Sequence, residues 1–228
     1  LPTSKLAKTL PKLHSQISVT DWLRTWLDEE ERYLKASTYD GYRKILASHL
    51  IPEFGDLKLS ELTLRTVKDY VSSLPCSTKT LRNIISPLRI ALEKAVEDEI
   101  LTTNPIANYK IRTRREAKRA QEHIEPFSSD ERRRILESLT GQGRNLVQFA
   151  FYSGLRTGEL VALDWKDVDL AQGVVHVTRS KTQVSKEFEI PKTNAGIRQI
   201  KLLSGARQAL EKQKVHTFLQ GEAVFQNP

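Results

Sequence analysis

The chain has 228 residues, 39% of them hydrophobic, and 36 lysines and arginines against 28 acidic residues give it a formal net charge of +8. This composition excludes a disordered or fibrous protein and suffices for two compact domains with ordinary cores. The surplus of positive charge favours an acidic polymer as the partner, either a nucleic acid or an anionic surface.

Other classes of protein are disfavoured by what the sequence lacks. No run approaches the roughly 18 apolar residues of a membrane span, and the amino terminus has no apolar signal segment, so we expect a cytoplasmic protein without membrane contact. The single cysteine, Cys76, has no neighbouring histidine and is interpreted as a surface or packing residue. No phosphate-binding glycine loop and no zinc-type spacing of histidine and cysteine occurs, so neither a cofactor nor a metal is expected.

The first half of the chain predicts a basic arm and a helical domain. Residues 1–16 mix three lysines with two prolines and show no apolar period, which indicates a mobile arm. Residues 17–109 predict a small domain of about four helices, the second broken at residues 51–55 and the fourth kinked or interrupted at Pro87. The expected helix caps are Ser18, Ser37-Thr38, Thr63 and Ser77.

Two of these helix starts are rich in residue types that contact phosphate. Free backbone N–H groups and the helix dipole attract phosphate, and hydroxyl, amide and basic side chains are its usual partners. Solvated helix caps have much the same composition, so both interpretations stay open. The first cluster comprises Lys35, Ser37, Thr38, Tyr42 and Lys44, and the second comprises Ser77, Lys79, Thr80, Arg82 and Asn83.

The segment 110–126 is sharply basic and has no apolar face, which predicts an extended interdomain linker. Like charges in a flexible segment repel unless an anion covers them, so the linker suits a nucleic-acid backbone, although a solvated tether has the same composition. Its predicted DNA contacts are Lys110, Arg112, Arg114 and Arg115.

Residues 127–228 predict a second domain in which helices flank a small antiparallel sheet. A helix capped by Ser128 precedes an apolar helix that stops at Ser153-Gly154, and Thr157 is the expected cap of the next one. Strands are predicted at residues 174–177, 188–190 and 197–202, the last two joined by a turn at 193–196, with a further helix after them. The predicted fold class is therefore mainly α with a small antiparallel β-sheet.

Arg156 lies in the turn between two of these helices. Its guanidinium is always charged and carries five donors in a planar fork, which in a rigid turn suits bidentate recognition of phosphate. Glu159, in the first turn of the next helix, is placed to orient it from behind, and a purely structural Arg156–Glu159 pair is the alternative. Arg198 and Lys201 are interpreted as ordinary strand residues near a phosphate path.

Three motifs in this domain resemble the first part of the catalytic domain of phage-integrase-type tyrosine recombinases. The upstream helical region is similar to the SAM-like core-binding domain of that family, so the resemblance covers nearly all of residues 17–210. The motifs are Ser153-Gly-Leu-Arg-Thr-Gly-Glu-Leu160, Leu163-Asp-Trp-Lys-Asp-Val-Asp169 and Pro191-Lys-Thr-Asn-Ala-Gly-Ile-Arg-Gln-Ile200.

The resemblance implies a metal-free reaction on double-stranded DNA near the bacterial nucleoid, with self-association on that DNA. In this family a tyrosine attacks a phosphodiester, forming a 3′-phosphotyrosyl link and freeing a 5′-hydroxyl, while fixed cations meet the charge on the non-bridging oxygens. By motif position Arg156 is the first catalytic arginine. Lys192, in the turn before the last strand, is the expected general acid, and Lys181 is the competing candidate.

The family pattern continues with a His-x-x-Arg pair and a tyrosine nucleophile that this sequence does not contain after the hairpin. His176-Val-Thr-Arg179 has the right spacing but precedes both lysines on a predicted strand, and Tyr152 lies in an apolar helix, where we expect it to pack in the core. We therefore expect a DNA-binding fragment of a phage or prophage integrase that does not cleave DNA alone. The alternatives are a naturally truncated, non-catalytic architectural protein and a helix-turn-helix transcription factor.

Overall fold

The computed structural model describes residues 16–112, 125–185, 187–189 and 196–226. The chain divides into two compact units, Leu1–Glu122 and His123–Pro228, and each has its own hydrophobic core. The predicted class, mainly α with a small antiparallel sheet, is confirmed. Within the described ranges, no helix combines the length and the apolar character that crossing a bilayer requires.

Five α-helices build the described part of the first unit. The predicted caps at Ser18, Thr63 and Ser77 are confirmed, because each side-chain oxygen accepts a backbone N–H from the first turn of its helix. A single π-helical turn, Leu46–Leu50, joins the second helix to the third. The helices are α1 (Val19–Glu30), α2 (Ala36–Ile45), α3 (Ile51–Phe54), α4 (Leu64–Ser73) and α5 (Thr78–Glu97).

Three details of this unit differ from the sequence prediction. Helix α2 begins one residue after Lys35, which makes no side-chain cap bond, so the predicted cap Ser37-Thr38 lies inside the helix. The expected break at residues 51–55 is wrong, because the π-helical turn Leu46–Leu50 runs directly into α3, which continues past Pro52 to Phe54. Pro87 does not interrupt α5, which runs for 20 residues with Pro87 on its buried face.

The segment after α5 folds back onto the first unit. Ile106 and Ile111 are buried in the same core as the helices. Arg89, on α5, fixes this return by donating hydrogen bonds to the carbonyls of Ile106 at 3.3 Å and Tyr109 at 2.7 Å. The chain therefore reaches residue 112 while still packed on the first unit.

The described part of the second unit comprises four helices and three short strands. They are α6 (Ser129–Glu137), α7 (Gly141–Ser153), α8 (Thr157–Val161) and α9 (Ser204–Thr217), with β1 (Val168–Asp169), β2 (Val174–Val177) and β3 (Arg198–Lys201). Strand β2 is central and antiparallel to both neighbours, so the buried Val175 lies opposite Val168 on one side and Ile200 on the other.

The strand prediction is wrong at one position. Of the described residues in the predicted strand 188–190, only Glu189 pairs, in an isolated bridge to Ser180, and β1 forms the sheet edge instead. Phe188 is half exposed and is flanked by two cations rather than by the core, the Arg179 guanidinium at 5.2 Å and the Lys181 ammonium at 5.4 Å from its ring centroid. The predicted turn residues 193–195 lie outside the described residues.

Polar side chains, rather than apolar ones, fill part of the α7–α9 interface. Gln213 is completely buried, accepts a hydrogen bond from Asn145 Nδ2 at 3.1 Å, and donates to the Val224 carbonyl at 3.0 Å. Asn145 and Gln148 of α7 are buried, whereas Tyr152 near the end of the same helix is 42% exposed, which contradicts the core position expected for it. Val161 on α8 and Val215 on α9 are also exposed.

Candidate functional site

The turn between α7 and α8 presents Arg156. Helix α7 ends at Gly154, whose φ of 64° is a left-handed conformation that glycine adopts without strain. Arg156, not Thr157, is the N-cap of α8, because the Arg156 backbone N–H donates to Glu159 Oε2 at 2.9 Å. The turn is thus fixed at both ends, and it holds the Arg156 side chain at the surface with 77% of it exposed.

Glu159 is the centre of a three-residue ionic cluster. It is only 4% exposed, and its Oε1 accepts a hydrogen bond from Arg156 Nη1 at 2.9 Å. Arg198, the first residue of β3, donates from Nη1 to Oε1 and from Nη2 to Oε2, both at 2.9 Å. These bonds from Arg198, helped by those from Arg156, outweigh burial and lower the Glu159 pKa from 4.5 to about 2.

The sequence interpretation of Arg198 as an ordinary strand residue is wrong. Arg198 pairs with a carboxylate 39 positions earlier in the chain and is only 29% exposed. The available signal was strand periodicity, since Arg198 shares a face with Ile200, which packs against the core of this unit. That signal places Arg198 on the inward side, but it does not identify Glu159 as its partner.

The arrangement allows Arg156 to bind an anion. Glu159 engages its main-chain N–H and one terminal nitrogen, whereas most of the side chain faces solvent. The planar fork of a guanidinium matches two oxygens of a phosphate, and a carboxylate behind it limits the rotamers that the arginine samples. A structural pair with Glu159 and a phosphate contact are therefore compatible, because they use different parts of the same side chain.

Of the two candidate lysines, the described residues include one. The backbone N–H of Lys181 donates a hydrogen bond to the Gly158 carbonyl at 2.9 Å, which fixes this part of the chain beside the first turn of α8. The Lys181 ammonium lies over the Phe188 ring. Lys192, the candidate preferred from the sequence, lies outside the described residues, so its assignment stays a prediction.

The second motif holds the end of β2 in place. Arg179 Nη2 contacts carboxylate oxygens of Asp164 and Asp167, and Arg179 Nε donates to the Ala162 carbonyl at 2.9 Å. His176 lies on β2 and is exposed. The pattern His176-Val-Thr-Arg179 thus begins on a strand, as predicted, and its arginine pairs with two aspartates.

The first cluster of predicted phosphate contacts surrounds the start of α2. Lys35 is exposed, Ser37 and Thr38 are half-buried, and the ring of Tyr42 packs 5.8 Å from that of Trp26. Lys44 is exposed, but its Nζ lies 2.6 Å from Asp40 Oδ2. Hydrogen bonds from Lys44 and, to a smaller extent, from Arg43 hold the pKa of Asp40 below its usual value. Tyr42 and Lys44 therefore have contacts within the protein.

The second cluster forms a more open surface at the start of α5. Ser77 uses its hydroxyl to cap the helix through the Thr80 N–H. The other four members, Lys79, Thr80, Arg82 and Asn83, are exposed. Leu81, between them, lines a groove of about 840 Å³ whose other walls include Lys68, Lys110 and Arg112.

Two of the predicted linker contacts line this groove within the first unit. Lys110 and Arg112 were predicted as linker contacts, and the fold-back of the chain places them against α4 and α5. The sequence interpretation missed Lys68, whose ammonium lies 5.9 Å from the Tyr109 ring centroid. Arg114 and Arg115 lie outside the described residues.

Comparison with known proteins decides the family. The sequence model described as "Phage integrase family" matches residues 113–227, half of the chain, and the model described as "Phage integrase, N-terminal SAM-like domain" matches residues 18–74. The chain belongs to the phage integrase family. Among the part of the chain that the structure describes, no group of three or more histidine, cysteine, aspartate or glutamate side chains is arranged to hold a metal.

Curated relatives within the family come from several bacteria. Prophage integrase IntR of Escherichia coli K12 is 42% identical over 137 residues, which are 60% of this chain and 32% of that protein. The ICEBs1 integrase of Bacillus subtilis strain 168 is 30% identical over 191 residues, 79% of this chain and 50% of that protein. The chain thus spans half or less of the length of these two relatives.

Solved integrase structures share the fold. A lambda integrase tetramer bound to a Holliday junction aligns with a TM-score of 0.68 at 19% identity, covering 98% of this chain and 63% of that one. The Tn1549 transposon integrase in complex with a circular intermediate DNA aligns with a TM-score of 0.67 at 19% identity, covering 88% and 66%. At this level of identity the likeness shows a common fold.

Proposed function

We propose that this phage integrase chain binds double-stranded DNA and contributes the first arginine and the lysine of a tyrosine-recombinase active site. The reaction of the whole protein is site-specific recombination through a 3′-phosphotyrosyl intermediate. The observation that carries the proposal is that the buried Glu159 carboxylate holds Arg156 through its backbone N–H and one terminal nitrogen, while most of the Arg156 side chain stays accessible.

Arg156, Glu159 and a lysine each have a defined task in this reaction. Arg156 binds non-bridging oxygens of the scissile phosphate, where negative charge increases in the transition state. Glu159 remains ionised at neutral pH, since its pKa is about 2, and keeps the guanidinium in one orientation. A lysine, Lys192 or Lys181, protonates the departing 5′-oxygen.

Two further observations support DNA as the partner. The chain has a net charge of +8, and four exposed members of the second cluster lie at one helix start beside a groove lined by three cations. Lambda integrase and the Tn1549 integrase, which share this fold, are described in complex with DNA, the former as a tetramer. By this analogy the chain self-associates on duplex DNA.

The DNA-binding part is tested with a matched pair of substitutions on α5. Lys79→Ala and Lys94→Ala each remove one charge, and their positions are separated by about 22 Å along the helix. Fluorescence anisotropy with a labelled duplex gives log Kobs against log salt concentration for each protein. We expect Lys79→Ala to reduce the slope by about 0.9 and Lys94→Ala to leave it unchanged.

Substitution of the fold-back cations extends the same test. Changing Lys110 and Arg112 together to alanine should reduce the slope by up to about 1.8 if both meet phosphates. An affinity that does not depend on salt, or equal effects of Lys79→Ala and Lys94→Ala, would contradict the proposed interface.

The catalytic part is tested in a recombination-competent protein that contains this chain. Arg156→Ala should reduce formation of the covalent protein–DNA complex on a nicked duplex by about 10²- to 10³-fold while duplex affinity stays within about twofold. Lys192→Ala should have a comparable effect and Lys181→Ala a small one. If Lys181→Ala proves to be the damaging change, the general acid is Lys181.

The two alternatives raised by the sequence predict other outcomes. A non-catalytic architectural protein would bind duplex DNA with the same salt dependence, but Arg156→Ala would have no effect beyond DNA affinity. A helix-turn-helix transcription factor would discriminate strongly between duplex sequences through base contacts, whereas phosphate contacts alone carry no sequence code.

A further inference from the structure

Arg198 gives the cluster a charge balance that Arg156 and Glu159 alone do not have. Arg156 and Glu159 are an ion pair with no net charge, and an approaching anion would meet both the guanidinium and the carboxylate. Arg198 adds a third charge and pairs with both oxygens of Glu159 at 2.9 Å. The cluster then carries one net positive charge, and most of the Arg156 side chain remains accessible to solvent.

The geometry assigns different roles to the two arginines. Arg198 uses both terminal nitrogens on Glu159, with Nη1 also donating to the Gly196 carbonyl at 3.3 Å, and it is 29% exposed. Arg156 uses one terminal nitrogen and is 77% exposed. Arg198 is thus directed at the carboxylate, and Arg156 is directed outwards.

We propose that Arg198 is a positioning residue that neutralises Glu159, so that the charge of Arg156 remains available for a phosphate. This inference rests on the proposed function, because it concerns the same Arg156 site. Without Arg198, Glu159 would offer both oxygens to Arg156, drawing its fork into a bidentate pair, and would repel the phosphate.

The alternative role for Arg198 is purely structural: its ion pair with Glu159 would only link β3 to α8. The two roles predict different behaviour in a double variant. If charge balance matters, Glu159→Gln removes the repulsion and restores anion binding in an Arg198→Met protein. If Arg198 only links β3 to α8, replacing Glu159 as well does not restore anion binding.

The experiment follows the Nε–Hε signal of Arg156 by 15N NMR while inorganic phosphate is added to the chain, with Arg156→Lys used to assign the signal. We expect phosphate to shift this signal in the wild type and to bind on the order of tenfold more weakly to Arg198→Met, the effect of one unit charge about 7 Å from the anion. Arg198→Lys, which keeps the charge, should stay within about threefold of the wild type.

The double variant Glu159→Gln/Arg198→Met should recover wild-type phosphate affinity within about threefold. Equal affinities in the wild type and Arg198→Met, or a failure of Glu159→Gln to rescue binding, would overturn the role of Arg198 while leaving that of Arg156 intact. A wild-type Arg156 signal that phosphate does not shift would overturn the proposed phosphate role of Arg156 and this inference with it. Should Arg198→Met not fold, Arg198→Gln takes its place in the same comparison.

Discussion

The backbones of Gly158 and Lys181 are in direct contact, with the Lys181 N–H donating to the Gly158 carbonyl at 2.9 Å. A Cβ atom at position 158 would lie 2.7 Å from the Lys181 carbonyl oxygen, closer than real Cβ atoms come to other atoms. The glycine in the Arg156 motif therefore has a packing role: it lets the chain after β2 approach the first turn of α8.

This contact predicts that Gly158→Ala separates the Lys181 segment from α8. We expect the free energy of unfolding to fall by about 1–3 kcal/mol, because the backbone atoms involved have little room to shift. Urea unfolding measures the loss. The matched control is Gly143→Ala on α7, where a Cβ meets no atom within 4 Å and alanine should be neutral or stabilising. Equal stability of the two variants would show that the contact does not constrain the fold.

The pKa of Glu159 predicts a pH-dependent stability. A carboxyl group whose pKa falls from 4.5 in the unfolded chain to about 2 in the folded one stabilises the fold fully above pH 4.5. This contribution, at most about 3 kcal/mol, is lost as the pH falls from 4.5 towards 2.

Urea unfolding between pH 7 and pH 2.5 should therefore show a steeper loss for the wild type than for Glu159→Gln, which lacks the titrating group. Glu211→Gln, which removes a half-exposed carboxyl group in the same unit, is the control and should keep the wild-type profile. Parallel profiles for the wild type and Glu159→Gln would contradict the depressed pKa.

Gln213, the buried glutamine on α9, predicts a large loss of stability from a substitution that changes no charge. Gln213→Ala leaves the buried Asn145 amide without its acceptor and removes one of the two donors to the Val224 carbonyl, the other being the Thr217 hydroxyl, so we expect a loss of about 2–4 kcal/mol. Lys212→Ala, at the adjacent exposed position, should change stability by less than about 0.5 kcal/mol. Thermal unfolding of both variants decides whether the polar interface stabilises the unit.

The fold-back of residues 104–112 predicts protection from protease. Arg89→Met removes the donors to the Ile106 and Tyr109 carbonyls, so the segment should detach more often. Limited trypsin digestion should then cleave after Lys110 and Arg112 several times faster than in the wild type. Arg65→Met, which changes a side chain that is 92% exposed, should leave the rate unchanged. Unchanged cleavage in Arg89→Met would show that Arg89 does not hold the segment.

Signals within a few residues were enough to predict much of the fold. The caps Ser18, Thr63, Ser77 and Ser128 are confirmed because each acts on an N–H only three positions away. The end of α7 at Gly154 and the central strand β2 are confirmed for the same reason, since glycine chemistry and β-branched runs are local properties. Local patterns failed at Pro52 and Pro87, since the helices that contain these prolines continue past them.

The sequence by itself determined the family, the two-part layout of helical and mixed regions, and Arg156 as the residue to examine, because motif order and spacing are properties of the chain alone. Only the tertiary structure decided that Arg198 pairs with Glu159, that Gly158 admits Lys181, and that Lys110 and Arg112 line a groove with Lys68. Each of these contacts joins residues more than 20 positions apart. Hydrophobic burial of each core brings such residues together, and charge and hydrogen bonding then fix their partners.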